Sequence, residues 1–128
     1  MVEMSVAGIA LDAASRTPIV LLRDPSGRRQ VPIWIDQSQA HNIMAGLQGA
    51  EPPRPLSHDL MAALLVAGGL ELERVIVHAI EDSTFHAVLK LRQNDPMDAA
   101  AEGDVILHDV DARPSDAIAL AVRTGSSI

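Results

Sequence analysis

The sequence predicts an α+β domain with a mixed or antiparallel sheet of about six strands and about three helices. Two observations support this class. Alternating apolar segments, separated by short turn sequences, occur over residues 2–35 and again over residues 70–110. Each group of strands is followed by residues with helical spacing and cap signals. A doubly wound fold would alternate single strands with helices instead of grouping the strands.

The first group contains three predicted strands joined by short turns. They are Val2–Asp12, Thr17–Arg23 and Arg28–Ile35. The first has small or apolar residues at successive positions, so we expect burial on both of its faces. Asp24-Pro25-Ser26-Gly27 is a strong turn signal between the second and third strands. The three strands are therefore expected to form an antiparallel meander.

Two helices are predicted to follow. The first begins after Asp36, which forms a capping-box pattern with Gln39, and it ends at Gly49. The second is predicted to have Ser57 as its N-cap and to run to about Ala67. The first helix carries apolar residues at helical spacing, and in the second Leu56 and Met61 are placed as a hydrophobic staple.

The second group of strands resembles the first in its pattern. The predicted strands are Leu70–Ile80, Thr84–Arg92 and Asp104–Val110. Residues 81–83 are predicted to turn the chain, and the polar residues 93–103 are predicted to form a loop. The third strand leads directly into the last helix.

The last helix begins at a proline and ends at a glycine. Pro114 suits the first helical turn because its φ is preset and it has no N–H to lose, and Gly125 suits a left-handed C-terminus. Aligning Asp36 with Asp111 also aligns the isoleucines seven residues further on. This indicates a weak internal duplication of a β-β-β-α unit within one domain that spans residues 1–128.

Charge and composition restrict the classes of function. The net charge is −7, from 17 acidic and 10 basic residues, which argues against long-range electrostatic attraction to nucleic acid. Bound cations can offset carboxylates in a metal-dependent phosphodiesterase, so that class stays open. The absence of cysteine excludes disulfides and thiolate metal sites. No apolar segment approaches the length of a membrane span, so the chain is predicted to be cytoplasmic.

Ser57-His58-Asp59 is the first candidate site. The functional interpretation is that His58 or Asp59 acts as a general base on a water molecule or as a metal ligand. The structural interpretation is a capped helix start, with Asp59 facing the positive end of the helix dipole. The local sequence favours the structural interpretation.

The corner from Asp111 to Asp116 is the second candidate site. Asp111 and Asp116 could hold Mg²⁺ through oxygen ligands, and Arg113 could bind a phosphate group bidentately. Alternatively, Arg113 bridges both aspartates as a structural ion pair. An arginine between two carboxylates competes with a cation, so the two interpretations partly exclude each other.

Four segments together resemble the bifunctional nuclease family. In chain order they are Pro32-Ile33-Trp34-Ile35, the segment from Arg54 to Leu60, Thr84-Phe85 and the long motif from Asp111 to Ala121. The resemblance implies an α+β domain and a nuclease activity on DNA, RNA or both with little sequence preference. It also implies a divalent cation, with Mg²⁺ expected, in a site built from His58-Asp59 and the corner from Asp111 to Asp116.

The sequence departs from the family pattern at several points. Asp36 and Gln39 stand where the family often has glycine and glutamate, and His86 stands where tyrosine is usual. Relatives continue beyond the position of Ile128, so a final strand or a further domain is expected to be missing. The loss of the glutamate weakens the nuclease prediction.

A non-catalytic ligand-binding or regulatory domain that works as an oligomer is the alternative function. The acidic charge, the near absence of aromatic residues for stacking on bases and the capping interpretations favour it. Under either function we expect a homo-oligomer, most simply a two-fold dimer, because so small a domain carries an excess of aliphatic surface. No membrane association is expected.

Overall fold

The fold was analysed in a computed structural model that describes residues 2–49, 52–80, 84–93 and 106–128. The strands are β1 (Ser5–Leu11), β2 (Pro18–Arg23), β3 (Gln30–Trp34), β4 (Leu70–Ile80), β5 (Thr84–Gln93) and β6 (Ile106–Ala112). The helices are α1 (Gln37–Gln48), α2 (Ser57–Ala67) and α3 (Pro114–Thr124). The predicted α+β class is confirmed. The predicted turn at residues 81–83 and most of the predicted loop at residues 93–103 lie outside the described residues.

The six strands form two antiparallel sheets of three strands each. One sheet has the order β1-β2-β3 and the other has the order β4-β5-β6. β2 pairs with both of its neighbours in sequence, as the predicted meander requires, and β5 does the same in the second sheet. The sequence prediction did not divide the strands between two sheets, because strand patterns report pairing only between neighbours in the chain.

Helix α3 lies between two hydrophobic cores. Ile118 and Ala119 pack with buried residues of β2, β3 and α1. Ala117, Leu120 and Ala121 pack with buried residues of β4 and β5. Three of these five residues are alanines, and small side chains let backbone elements approach the helix on both sides. The last helix is therefore the central element of the fold.

Strand β1 differs from its prediction. None of its seven residues is buried, and the exposed and half-buried positions roughly alternate. Among the described strands β1 pairs only with β2 at the edge of its sheet, and its apolar residues Val6 and Ile9 are only partly buried against the core. The expectation that both of its faces are buried is wrong.

The predicted cap of α1 is confirmed, and the predicted cap of α2 is not. Asp36 Oδ1 accepts a hydrogen bond from the Gln39 N–H at 2.7 Å, and Gln39 Oε1 accepts one from the Asp36 N–H at 2.8 Å. Leu56 is the N-cap of α2, and Ser57 is the first helical residue. Leucine has no side-chain oxygen that could cap the helix. Instead, the Asp59 carboxylate inside the first turn accepts a hydrogen bond from the Leu56 N–H.

Candidate functional site

His58 lies in the first turn of α2 and is held against α3. Its ring is 5% exposed, and Nε2 lies 3.0 Å from Oδ1 of Asp116. Nδ1 is buried and has no hydrogen-bond partner among the described residues. The ring therefore joins the starts of two helices that are far apart in sequence.

Asp116 accepts hydrogen bonds from two side chains. Oδ1 faces His58, and Oδ2 accepts a hydrogen bond from Nε of Arg113 at 2.8 Å. Burial raises the pKa of Asp116, but the hydrogen bonds from Arg113 and His58 outweigh burial and hold the pKa below its usual value. Asp116 is consequently an ionised carboxylate in which both oxygens have partners.

Arg113 is the exposed member of this cluster. Its side chain is 68% exposed, and within the described part of the chain its guanidinium group uses Nε alone to bind Asp116. The hydrogen bond to Asp116, helped by the negative charges of Asp116 and Asp36, raises the pKa of Arg113. Asp36, the N-cap of α1, therefore also contributes to the charge balance of this corner.

Asp59 has a different set of partners. Oδ2 accepts a hydrogen bond from the Leu56 N–H at 2.8 Å, and Oδ1 accepts one from Nε of Arg123 at 2.7 Å. These two bonds lower the pKa of Asp59 despite partial burial. Arg123 is only 7% exposed in its side chain and also donates to the Ala119 carbonyl. Asp59 is thus both a backbone cap and half of an α2–α3 ion pair.

Local sequence does not mark Arg123 as a partner of Asp59. Arg123 lies seven residues after Asp116 on α3, which is about two helical turns and places both residues on one face of the helix. Adjacent residues of α2, His58 and Asp59, contact these two positions. The seven-residue spacing predicts that Asp116 and Arg123 share one face of α3, but it does not predict that this face contacts α2.

Asp111 is separate from this cluster. It lies on β6 opposite Val88, while its neighbour Ala112 lies opposite the buried Ala87. Successive strand residues point to opposite faces, so the exposed side chain of Asp111 points away from the face that packs on α3. Among the described residues Asp111 forms no ion pair. Arg113 therefore does not bridge both aspartates, as one interpretation of the sequence expected.

The cluster as arranged does not fit a divalent cation. Within residues 2–49, 52–80, 84–93 and 106–128, no group of three or more acidic or histidine side chains could hold a metal ion. Both oxygens of Asp116 face nitrogen groups, one of them a guanidinium cation. Mg²⁺ requires several oxygen ligands in an octahedral arrangement, and these positions do not supply them.

None of the described helices is both long and apolar enough to cross a bilayer.

Comparison with known proteins identifies the family. The chain is 40% identical to the uncharacterized protein Rv1829 of Mycobacterium tuberculosis strain ATCC 25618 / H37Rv over 128 residues, which is all of this chain and 70% of that protein. The uncharacterized protein MT1877 of strain CDC 1551 / Oshkosh gives the same values. The family model of the bifunctional nuclease domain matches residues 20–128. Because this match covers most of the sequence, the chain belongs to the bifunctional nuclease domain family.

Proposed function

We propose that this chain is a nuclease that hydrolyses phosphodiester bonds of DNA, RNA or both with little sequence preference. Family membership supports the reaction class. The single observation that carries the proposal is the exposed Arg113 guanidinium beside the ionised Asp116, with His58 buried behind it. This corner of α3 is where we place the reaction.

Arg113 would bind the phosphate. Its Nε donates to Asp116, so its two terminal nitrogens can donate to a phosphate in the planar, bidentate geometry that arginine favours. Arg113 is also the N-cap of α3 and makes no side-chain capping bond. The positive end of the helix dipole therefore adds to the attraction for an anion.

Asp116 would orient the attacking water, whose oxygen bonds to phosphorus as the bond from phosphorus to one sugar oxygen breaks. Bulk solvent would accept the proton of the water and protonate the leaving oxygen. A carboxylate with a lowered pKa stays ionised but is a weak proton acceptor. Most of the rate acceleration would then come from stabilisation of the developing phosphate charge by Arg113. This division of roles differs from the one in which His58 or Asp59 activates the water.

His58 and Asp59 would be positioning residues. His58 is buried and faces Asp116 through Nε2, so it fixes the carboxylate in place. Asp59 is engaged by the Leu56 N–H and by Arg123, so it fixes the start of α2. The contribution of both residues to cleavage would be indirect.

A requirement for Mg²⁺ belongs to the proposal only as an expectation from the family. The residues as arranged do not fit the ion, and we assign no step to it. Cleavage with added MgCl₂ and with EDTA measures the requirement directly. Equal cleavage under both conditions would exclude a metal-dependent mechanism.

Matched variants test the proposed roles. Purified protein is incubated with supercoiled plasmid and with single-stranded RNA. Arg113→Ala should lower cleavage at least about 10²-fold, while Asp111→Ala, on the opposite face of β6, should leave it within about twofold of the parent. Cleavage by Arg113→Ala at the parental rate would contradict the proposed site.

A non-catalytic regulatory domain is the second candidate. The observation that favours it is that His58 and Asp59, the two most conspicuous polar residues of α2, are both used to hold α3. In a regulatory domain these two side chains would stabilise the packing of α2 on α3. An absence of cleavage by the folded parent protein, on either substrate and with Mg²⁺ or Mn²⁺, would support this candidate and contradict the nuclease.

A further inference from the structure

Two histidines face each other across strands β4 and β5. His78 on β4 is the register partner of His86 on β5, and the centroids of the two imidazole rings lie 6.1 Å apart, with 28° between the ring planes. Ala87, the neighbour of His86, is buried in the core that includes α3, so both histidines point to the opposite, outer face of the sheet. His78 is exposed and His86 is half-buried, and an ion in solvent can therefore reach the pair.

The spacing of the two rings is close to that of two imidazoles bound to one metal ion. Zn²⁺ binds imidazole nitrogens at about 2.0–2.1 Å in tetrahedral geometry, which places the ring centroids of two such ligands about 5 Å apart. The two rings in this sheet are separated by 6.1 Å. A change in the χ angles of the exposed His78 side chain is sufficient to close this difference.

The charges on the outer face of the sheet also favour a cation. Asp111, which is exposed, lies on this face opposite Val88, diagonally across from His86. Lys90 lies on the same face, but Oδ2 of Asp109 pairs with its Nζ at 2.9 Å. Neither histidine therefore has an unbalanced positive charge next to it on β5 or β6 among the described residues.

We propose that His78 and His86 form a binding site for a divalent transition-metal ion such as Zn²⁺, which would bridge β4 and β5. Imidazole nitrogen suits Zn²⁺, Cu²⁺ and Ni²⁺, whereas Mg²⁺ prefers oxygen ligands. No group of three or more ligand side chains occurs in the described part of the chain, so water molecules would complete the coordination. The ligands are not residues of the corner that contains Arg113 and Asp116, and the proposal does not depend on nuclease activity.

Calorimetric titration of the parent protein with ZnCl₂ at neutral pH tests the site. It should show one ion bound per chain, and MgCl₂ at the same concentrations should show none. His78→Ala and His86→Ala should each raise the Kd for Zn²⁺ at least about tenfold, since each removes one of the two protein ligands. His41→Ala is the matched control, because it removes an exposed histidine of α1 and should leave the Kd unchanged.

Nuclear magnetic resonance of the parent protein provides a second measurement that needs no variant. Addition of ZnCl₂ should shift the imidazole signals of His78 and His86 and leave those of the other three histidines in place. Saturating ZnCl₂ should also raise the melting temperature of the parent but not that of His86→Ala, because the ion binds the folded state. Absence of Zn²⁺ binding, an unchanged Kd in His78→Ala, equal binding of Mg²⁺, or unchanged His78 and His86 signals would each overturn the proposal.

Discussion

His58 contributes to stability through its burial and through its contact with Asp116. Replacing it by alanine leaves a space between α2 and α3 and removes one of the two partners of an ionised carboxylate. We expect His58→Ala to lower the free energy of unfolding by about 2–4 kcal/mol. Urea denaturation measures the change, and His41→Ala, at an exposed position of α1, should stay within about 0.5 kcal/mol of the parent. Equal midpoints for His58→Ala and the parent would contradict this prediction.

Asp116 and Asp111 provide a matched comparison of two aspartates at one corner. If Arg113 bridged both aspartates, as one interpretation of the sequence has it, Asp111→Ala would lower stability by breaking a pair with Arg113. The structure instead assigns the larger loss of stability to Asp116, because Arg113 binds Asp116 and Asp111 is exposed. Asp116→Ala should cost about 1–3 kcal/mol, since it leaves the buried His58 Nε2 without its partner.

Asp111→Ala should cost less than about 0.5 kcal/mol, as surface substitutions usually do. Thermal melting of the two variants beside the parent decides the comparison. A larger loss for Asp111→Ala than for Asp116→Ala would show that the corner is arranged differently in solution.

Asp59 makes stability depend on pH in the acid range. Its pKa is lowered from 3.8 in the folded protein by the bonds from the Leu56 N–H and Arg123. A carboxyl group whose pKa is lower in the folded state stabilises the protein above its unfolded pKa, and this contribution is lost as the pH falls through the folded pKa. The lowered pKa of Asp116 acts in the same direction.

We therefore expect the urea midpoint to fall steadily as the pH is lowered from above 3.8. Asp59→Asn should show a shallower dependence, because it removes one of the groups whose lowered pKa contributes. The same slope in Asp59→Asn and the parent would show that the Asp59–Arg123 pair does not persist in solution.

The residue scale also shows what sequence could predict about the site. The sequence predicts His58 in one candidate site and Arg113 and Asp116 in another, and the structure joins the two candidates through Asp116, which both His58 and Arg113 contact. Local sequence could not show that Asp111 lies on the opposite face of β6, because this depends on the register with β5. Nor could it predict that Arg123, 64 residues along the chain, would bind Asp59.

At the element scale, α1 and α3 approach each other closely at one glycine. A Cβ atom built on Gly46 would lie 2.5 Å from Cγ2 of Val122 and 3.4 Å from Cγ of Arg123. Alanine normally stabilises the interior of a helix by about 1 kcal/mol relative to glycine. Here the steric conflict should outweigh that gain, and Gly46→Ala should lower the melting temperature.

Gly8→Ala is the control for Gly46→Ala. A Cβ atom on Gly8 has no atom within 4 Å, so the substitution tests the loss of a glycine without a steric conflict. Gly8→Ala should melt close to the parent or slightly above it, because alanine restricts the unfolded chain. A rise in melting temperature for Gly46→Ala would contradict close packing of α1 on α3.

The sequence predicts the boundaries of the helices better than it predicts how the helices and strands assemble. The helix starts and ends are marked by Asp36, Gly49, Pro114 and Gly125, and the structure uses each of them as predicted. The start of α2 differs by one residue because Asp59 caps Leu56 from inside the helix. The division into two sheets depends on α3 separating two cores, and no local pattern reports such a long-range arrangement.

At the scale of the whole molecule, α2 leaves an apolar surface uncovered. Its only buried residue is His58, while Leu60, Met61 and Leu64 are 54%, 40% and 61% exposed. A helix that is apolar on all sides is normally buried. The segment from Leu60 to Leu70 contains no charged residue, so two copies that each carry a charge of −7 could meet here without direct repulsion.

We propose that two copies associate through this surface of α2 around a two-fold axis, as the commonest closed assembly does. Light scattering coupled to size exclusion should give about twice the monomer mass of 13.6 kDa. Leu64→Glu should shift the protein towards the monomer, because it places a charge in the apolar contact. Leu11→Glu is a matched control, since Leu11 on β1 is 62% exposed, close to the 61% of Leu64. A monomer mass for the parent protein across micromolar concentrations would contradict the dimer, and equal effects of the two substitutions would place its interface elsewhere than α2.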